Sequence, residues 1–282
     1  MYAFPKLNLL LNTMLSTPVL AASQPAVIQD KPAIVLVAFG TSVAEARKVF
    51  DFIDQQAQKR YAGYELRWAF TSQFIINKLK SQGITTYNVA EVIEQLRTQG
   101  YKKIAFQSLH VVPGQEYNKI LNSDTDGLEV ACGDALLASA DDISKVITAL
   151  DTMIDPAQPT VIVSHGNDKH PQFNERLSAI ASAMEQRYPR LVVASVEGSI
   201  GTDPLQRIKA LNPTSVRFIP LMVVAGDHVM NDVLGPDADS WKNIIAAPHC
   251  ECTPSLGWNP AILALYFSHL DRALADLKEN KG

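Results

Sequence analysis

Two stretches of this chain repeat each other, and that repetition limits the fold more than any other feature. Residues 104–114, from Ile104 through Leu109-His110-Val111-Val112-Pro113-Gly114, align without a gap to residues 216–226, from Val216 to Gly226. Phenylalanine, leucine, a Val-Val pair and glycine coincide. An earlier correspondence runs in the same order. The apolar run 33–39 closes in Gly40, and the run 160–164 closes in His165-Gly166. A helix-spaced apolar stripe follows each: Val43, Ala46, Val49, Phe50, Ile53 and Ala57 in the first, Phe173, Leu177, Ile180, Met184 and Tyr188 in the second. Further strand-like runs come at 64–70 and 191–196. Two matches in one order indicate duplication of an α/β unit. The alternation predicts parallel sheets with crossover helices. The expected fold class is therefore α/β, two similar Rossmann-like lobes with a ligand cleft between them, where strand carboxyl ends converge.

Local signals divide the chain further. Ser42-Val43-Ala44-Glu45 has the pattern of a capping box. Pro171 suits a first helical position, where its missing N–H costs nothing. Asp155-Pro156-Ala157-Gln158-Pro159 reads as a linker. It separates an N-terminal lobe over 23–155 from a C-terminal lobe over 156–282.

Two lobes need length and apolar content, and 282 residues with 47% hydrophobic and 19% charged supply both. A net charge of -4 gives no broad electrostatic footprint for nucleic acid. No apolar run reaches the length of a membrane-spanning helix. Residues 1–22 differ from the rest. Lys6 and the amino terminus precede a mostly apolar run over 7–20, and Val19-Leu20-Ala21-Ala22 offers small residues for cleavage. The expectation is a signal peptide over 1–22 and a periplasmic mature protein. Three cysteines, Cys132, Cys250 and Cys252, are an odd number and make no disulfide framework. Cys250 and Cys252, two apart in a strand, should share a face. Buried thiols are expected, with a bridge to Cys132 as the alternative.

The chemistry concentrates in the second unit. His165 ends its first strand, Glu197 its second, and His228 follows its third, each one βα unit from the next. Side chains from successive strand ends can meet at one point. Imidazole nitrogens and a carboxylate suit a borderline divalent metal, and the absence of a thiolate argues against soft ions such as Cu(I). Phe39, Glu116 and His110 occupy the positions equivalent to His165, His228 and Met222. One lobe is specialised for metal and the other for something else. His170 is expected at a helix start, His249 in the core, and His269 in a final helix over 260–277.

At these residues the chain resembles the anaerobic sirohydrochlorin cobaltochelatases, relatives of ferrochelatase. The markers are Ala38-Phe39-Gly40-Thr41-Ser42, the run from Leu109 to Tyr117, Ser164-His165-Gly166-Asn167, and Gly226-Asp227-His228-Val229-Met230-Asn231-Asp232. The resemblance spans nearly the whole chain after residue 22. It implies insertion of Co2+ into sirohydrochlorin or a related tetrapyrrole. It also implies metal ligands His165, Glu197 and His228, with His165 also acting as a base. Fe2+ or Ni2+ are alternative metals. Exported members are similar in carrying a leader, and some form homo-oligomers that hold haem through an additional histidine. His110 is the first-lobe candidate for haem or substrate. Gly40, Thr41 and Ser42, at a helix amino end, offer backbone N–H groups to the ring's carboxylates, with Arg67 and Lys119 as weaker candidates. A metal-delivery protein and a haem-binding protein are the competing readings.

Overall fold

The computed structural model describes residues 31–279. The expected leader over 1–22 lies outside them. Strands β1 (Ala33–Ala38), β2 (Leu66–Phe70), β3 (Lys103–Ser108) and β4 (Glu129–Gly133) form one sheet in the order β2-β1-β3-β4. Strands β5 (Thr160–Gly166), β6 (Leu191–Glu197), β7 (Ser215–Pro220) and β8 (His249–Cys252) form a second in the order β6-β5-β7-β8. All strand pairs are parallel. The helices are α1 (Ala44–Arg60), α2 (Gln73–Ser81), α3 (Val89–Thr98), α4 (Gln115–Leu121), α5 (Ala140–Asp151), α6 (Glu175–Arg187), α7 (Pro204–Lys209), α8 (Trp241–Ile245) and α9 (Pro260–Glu279).

Strand register repeats the equivalence read from the sequence. Val35 lies opposite Phe106, and Val161 lies opposite Phe218. Ile104 faces Val130 as Val216 faces Cys250. The two lobes are thus one architecture built twice.

Alternation along the strands sets the packing. Ile34, Leu36 and Ala38 of β1 join a core that also holds Ile162 of β5, Leu177, Ile180 and Met184 of α6, and much of α9. Ala33, Val35 and Val37 face the other way, onto Val92, Ile93 and Leu96 of α3. Val161 and Val163 pack likewise with Ile208 of α7 and Trp241 and Ile245 of α8. Each sheet is covered on both faces, the usual condition of a parallel sheet, and one core is common to both lobes.

Helix α9 departs from the sequence division at residue 155. It follows the second sheet in the chain but packs on β3 and β4 of the first. The Tyr266 hydroxyl donates to the carbonyls of Leu109 and His110 at 3.2 Å, and Lys103 Nζ donates to the carbonyl of Leu277 at 3.0 Å.

Three local expectations change. The capping box at Ser42 does not form: α1 starts at Ala44 with Val43 as its cap residue, so Ser42 stands one position too early, and Thr41 Oγ1 instead accepts from the Val43 N–H at 3.2 Å. His249 is exposed rather than in the core, because β8 is a four-residue edge strand whose outward residues are His249 and Glu251. Cys250 and Cys252 share the inner face and all three thiols are free, as expected, but each is partly rather than fully buried. Burial pushes Cys132 up to about 12 and Cys252 up to about 11, so neither is a thiolate at neutral pH.

Candidate metal centre

His165 is the penultimate residue of β5 and Glu197 the last residue of β6, and the register pairs Gly166 with Glu197. His228 stands in the loop after β7, just before a single wide helical turn, Val229–Val233. The three donors expected from consecutive strand ends do meet: one ligand atom from each lies within 4.8 Å of the others. The two imidazole rings sit edge to face with centroids 4.9 Å apart. Donors sharing one ion at about 2.0–2.2 Å stand about 3–4 Å from each other, so small side-chain rotations suffice to enclose a cation. Gly166 makes the approach of the strands feasible. Its φ is +73°, and a Cβ there would fall 1.9 Å from the carbonyl oxygen of Glu197. Only glycine lets the end of β5 lie this close to the end of β6.

Hydrogen bonds fix which ring nitrogens are free. His165 Nδ1 is 2.8 Å from the Gly166 carbonyl oxygen. A carbonyl only accepts, so Nδ1 carries a hydrogen, and in the neutral ring Nε2 is the nitrogen with the lone pair. His228 Nδ1 is 2.6 Å from Asp232 Oδ2, with the same consequence. Sequence reasoning assigned Asp232 no role. Its signal was the four-residue spacing from His228, which puts two side chains on one side of a helical turn.

The first lobe faces this cluster without duplicating it. A side chain at Gly226, two residues before His228, would come within 3.1 Å of Thr41 Oγ1, so the loop after β7 abuts the loop after β1. Gly40, Thr41 and Ser42 therefore stand in the loop that abuts the loop carrying His228. No side chain caps α1, which leaves amides of its first turn unclaimed. Phe39, the counterpart of His165, is 46% exposed, and Glu116, the counterpart of His228, is tied to Lys119 at 2.8 Å.

His110 lies apart from the three-donor cluster. Its Nδ1 is 2.9 Å from Ser108 Oγ and its Nε2 is 3.3 Å from Thr71 Oγ1. Burial, helped by the charge of Lys119, pushes its pKa down to about 4, so the ring is neutral at physiological pH. Of the weaker candidates, Arg67 pairs with Glu65 at 2.8 Å and Lys119 also donates to the Thr71 carbonyl at 3.0 Å. His170 precedes a short turn of helix, Pro171–Asn174, as expected. His269 is buried, between the carbonyl of Asp134 and the carboxylate of Asp142, both at 3.0 Å.

Comparison with known proteins places this arrangement. The chain is 34% identical over 258 residues to the sirohydrochlorin cobaltochelatase of Salmonella typhimurium, covering 86% of this chain and 97% of that one. It is 27% identical over 263 residues to the sirohydrochlorin cobaltochelatase CbiKC of Nitratidesulfovibrio vulgaris, covering 88% and 93%. Among solved structures, SirB from Bacillus subtilis with Fe3+ superposes with a TM-score of 0.59 at 11% identity, over 88% of this chain and 98% of that one. CbiX, described as the terminal enzyme for biosynthesis of sirohaem in denitrifying bacteria, superposes with a TM-score of 0.54 at 11% identity, over 86% and 99%. These two superpositions establish the chelatase fold. The family described as cobalt chelatase (CbiK) matches residues 32–275, and with both lobes and the strand-end cluster inside that span, the chain belongs to that family.

Proposed function

We propose that this chain is a sirohydrochlorin cobaltochelatase, which takes Co2+ as a substrate and places it in the tetrapyrrole ring. The observation that carries the proposal is the convergence of His165, Glu197 and His228 beyond the strand ends of the second sheet in a cobalt chelatase family member. Two neutral imidazole Nε2 atoms and one carboxylate offset part of the ion's charge and leave coordination positions open for ring nitrogens. The ring loses two N–H protons as the metal enters, and a neutral imidazole is suited to accept protons near pH 7. His165 Nδ1 is already a donor to Gly166, so its second nitrogen is not the base. The proton-accepting atom on His165 is Nε2, which takes one of the two ring protons as cobalt passes from it to the ring, while the other leaves to solvent.

The ring's carboxylates would meet the unclaimed amides beyond Gly40, Thr41 and Ser42. We also propose export to the periplasm, on the character of residues 1–22, which lie outside the described residues. Fe2+ or Ni2+ remain alternative metals, since ligand type does not set selectivity by itself. Haem binding through His110 would require its Nε2 to release Thr71. A homo-oligomer rests on the resemblance alone.

The test is visible absorption of purified mature protein with sirohydrochlorin and Co2+, Fe2+ or Ni2+. The expected outcome is catalysed conversion of the free ring's spectrum to the metallated one, fastest with Co2+. Tight Co2+ binding with an unchanged ring spectrum would instead identify a metal-delivery protein.

A further inference from the structure

We propose that Asp232 is a positioning residue of the metal centre, which holds His228 in the one tautomer that presents Nε2 to the cation. The inference rests on the chelatase reading above and adds to it a group outside the three donors.

Three observations carry it. The first is the contact itself: Asp232 Oδ2 lies 2.6 Å from His228 Nδ1, a short, charge-assisted hydrogen bond. The second is the backbone that delivers it. The Leu234 N–H bonds to the carbonyl of Val229, five residues back, at 3.1 Å, so the chain makes one wide turn directly after His228. Turns of that kind recur at functional sites because they re-aim side chains. Gly235 closes the turn against the carbonyl of Asn231 at 2.9 Å, where a Cβ would fall 2.1 Å from that oxygen. The third is an asymmetry between the two histidines. His165 is backed by a neutral carbonyl, whereas His228 is backed by a carboxylate. A carboxylate behind an imidazole fixes its tautomer and orientation and raises its basicity as a donor. His228 is thus the donor backed by a charged group.

The experiment combines Co2+ titration by calorimetry with heteronuclear NMR of the imidazole nitrogens, on the mature protein and its variants. In the metal-free wild type, His228 should show a protonated Nδ1 and an unprotonated Nε2. Asp232→Ala should give mixed tautomers and weaken Co2+ binding about 10–100-fold, the range for loss of an outer-shell partner. Asp232→Asn can still accept through its amide oxygen, so it should keep the tautomer and recover part of the affinity. The loss should vanish in a background lacking the ring: His228→Ala with Asp232→Ala should bind no more weakly than His228→Ala alone. Asp239→Asn, which removes an exposed carboxylate later in the same loop, should change little. A wild-type tautomer and affinity in Asp232→Ala, with affinity lost in His228→Ala, would overturn the positioning role alone. That role also falls if Asp232→Ala weakens binding equally without His228, since the effect would then be general electrostatics. Wild-type affinity in His228→Ala would overturn the metal-site reading, and the positioning role with it.

Discussion

At His165 and His228 the same outcome is reached by different means. Each ring donates from Nδ1, one to a backbone carbonyl and one to a carboxylate, so each offers Nε2 to the same space. A donor so fixed loses little orientational freedom when a cation arrives, which is the advantage of a pre-organised site. His165→Ala and His228→Ala should each lower the rate of cobalt insertion at least about 100-fold, the scale of a lost acid–base or electrostatic group. Steady-state assay with sirohydrochlorin checks this, and near wild-type turnover in both variants would remove the proposed site. Phe39 and Glu116 occupy the duplicated positions in the first lobe and supply no comparable set. That difference was readable from the sequence because two blocks of the duplicated units match in the same order, the second of them without a gap. The role of Asp232 was not, because a four-residue spacing in a loop acquires meaning only once the backbone there is seen to turn as a helix.

Between elements, α5 and α9 are joined by a buried polar bridge. His269 of α9 offers its two ring nitrogens to the carbonyl of Asp134 and the carboxylate of Asp142, at 3.0 Å each. Both partners are acceptors, so the ring satisfies both only with a hydrogen on each nitrogen. Asp142 also forms the capping box of α5 with Ser139. Burial alone would raise the Asp142 pKa, but its bonds to Ser139 and the charge and bond of His269 outweigh that and hold it below the ordinary carboxylate value. A carboxylate with a depressed folded pKa contributes stability that is full above its unfolded pKa of about 3.9 and disappears as pH falls through the folded value. Asp142→Asn should therefore unfold more readily than wild type at pH 7. Below about pH 4 the two should converge as wild type loses the same contribution. Denaturant unfolding followed across pH checks the convergence. Equal stability at pH 7 would show that the bridge contributes nothing.

At the scale of the molecule, one hydrophobic core is common to the two architectural copies. Leu270 of α9 is fully buried in that core, which includes residues of β1, α5 and α6. Leu270→Ala should destabilise the protein by about 2–5 kcal/mol. The lobes should still unfold in one transition. Trp68 reports on the first lobe and Trp241, in the core of the second sheet, on the other. Separate transitions for the two tryptophans would show that the lobes are energetically independent. The common core also accounts for how the loop after β7 is held against Thr41 while His165 and Glu197 sit at strand ends.

The sequence by itself determined the duplicated α/β pattern, the strand ends and which three candidate donors stand at or just beyond them. Each follows from local periodicity, and a parallel βα repeat carries its reactive residues to one edge wherever the sheet lies. The tertiary structure alone decided that α9 crosses back to the first sheet, that His249 faces outward, and which histidine nitrogens are free. Those outcomes depend on contacts between residues far apart in the chain, or on the direction of a loop backbone. Neither leaves a periodic trace in the order of amino acids.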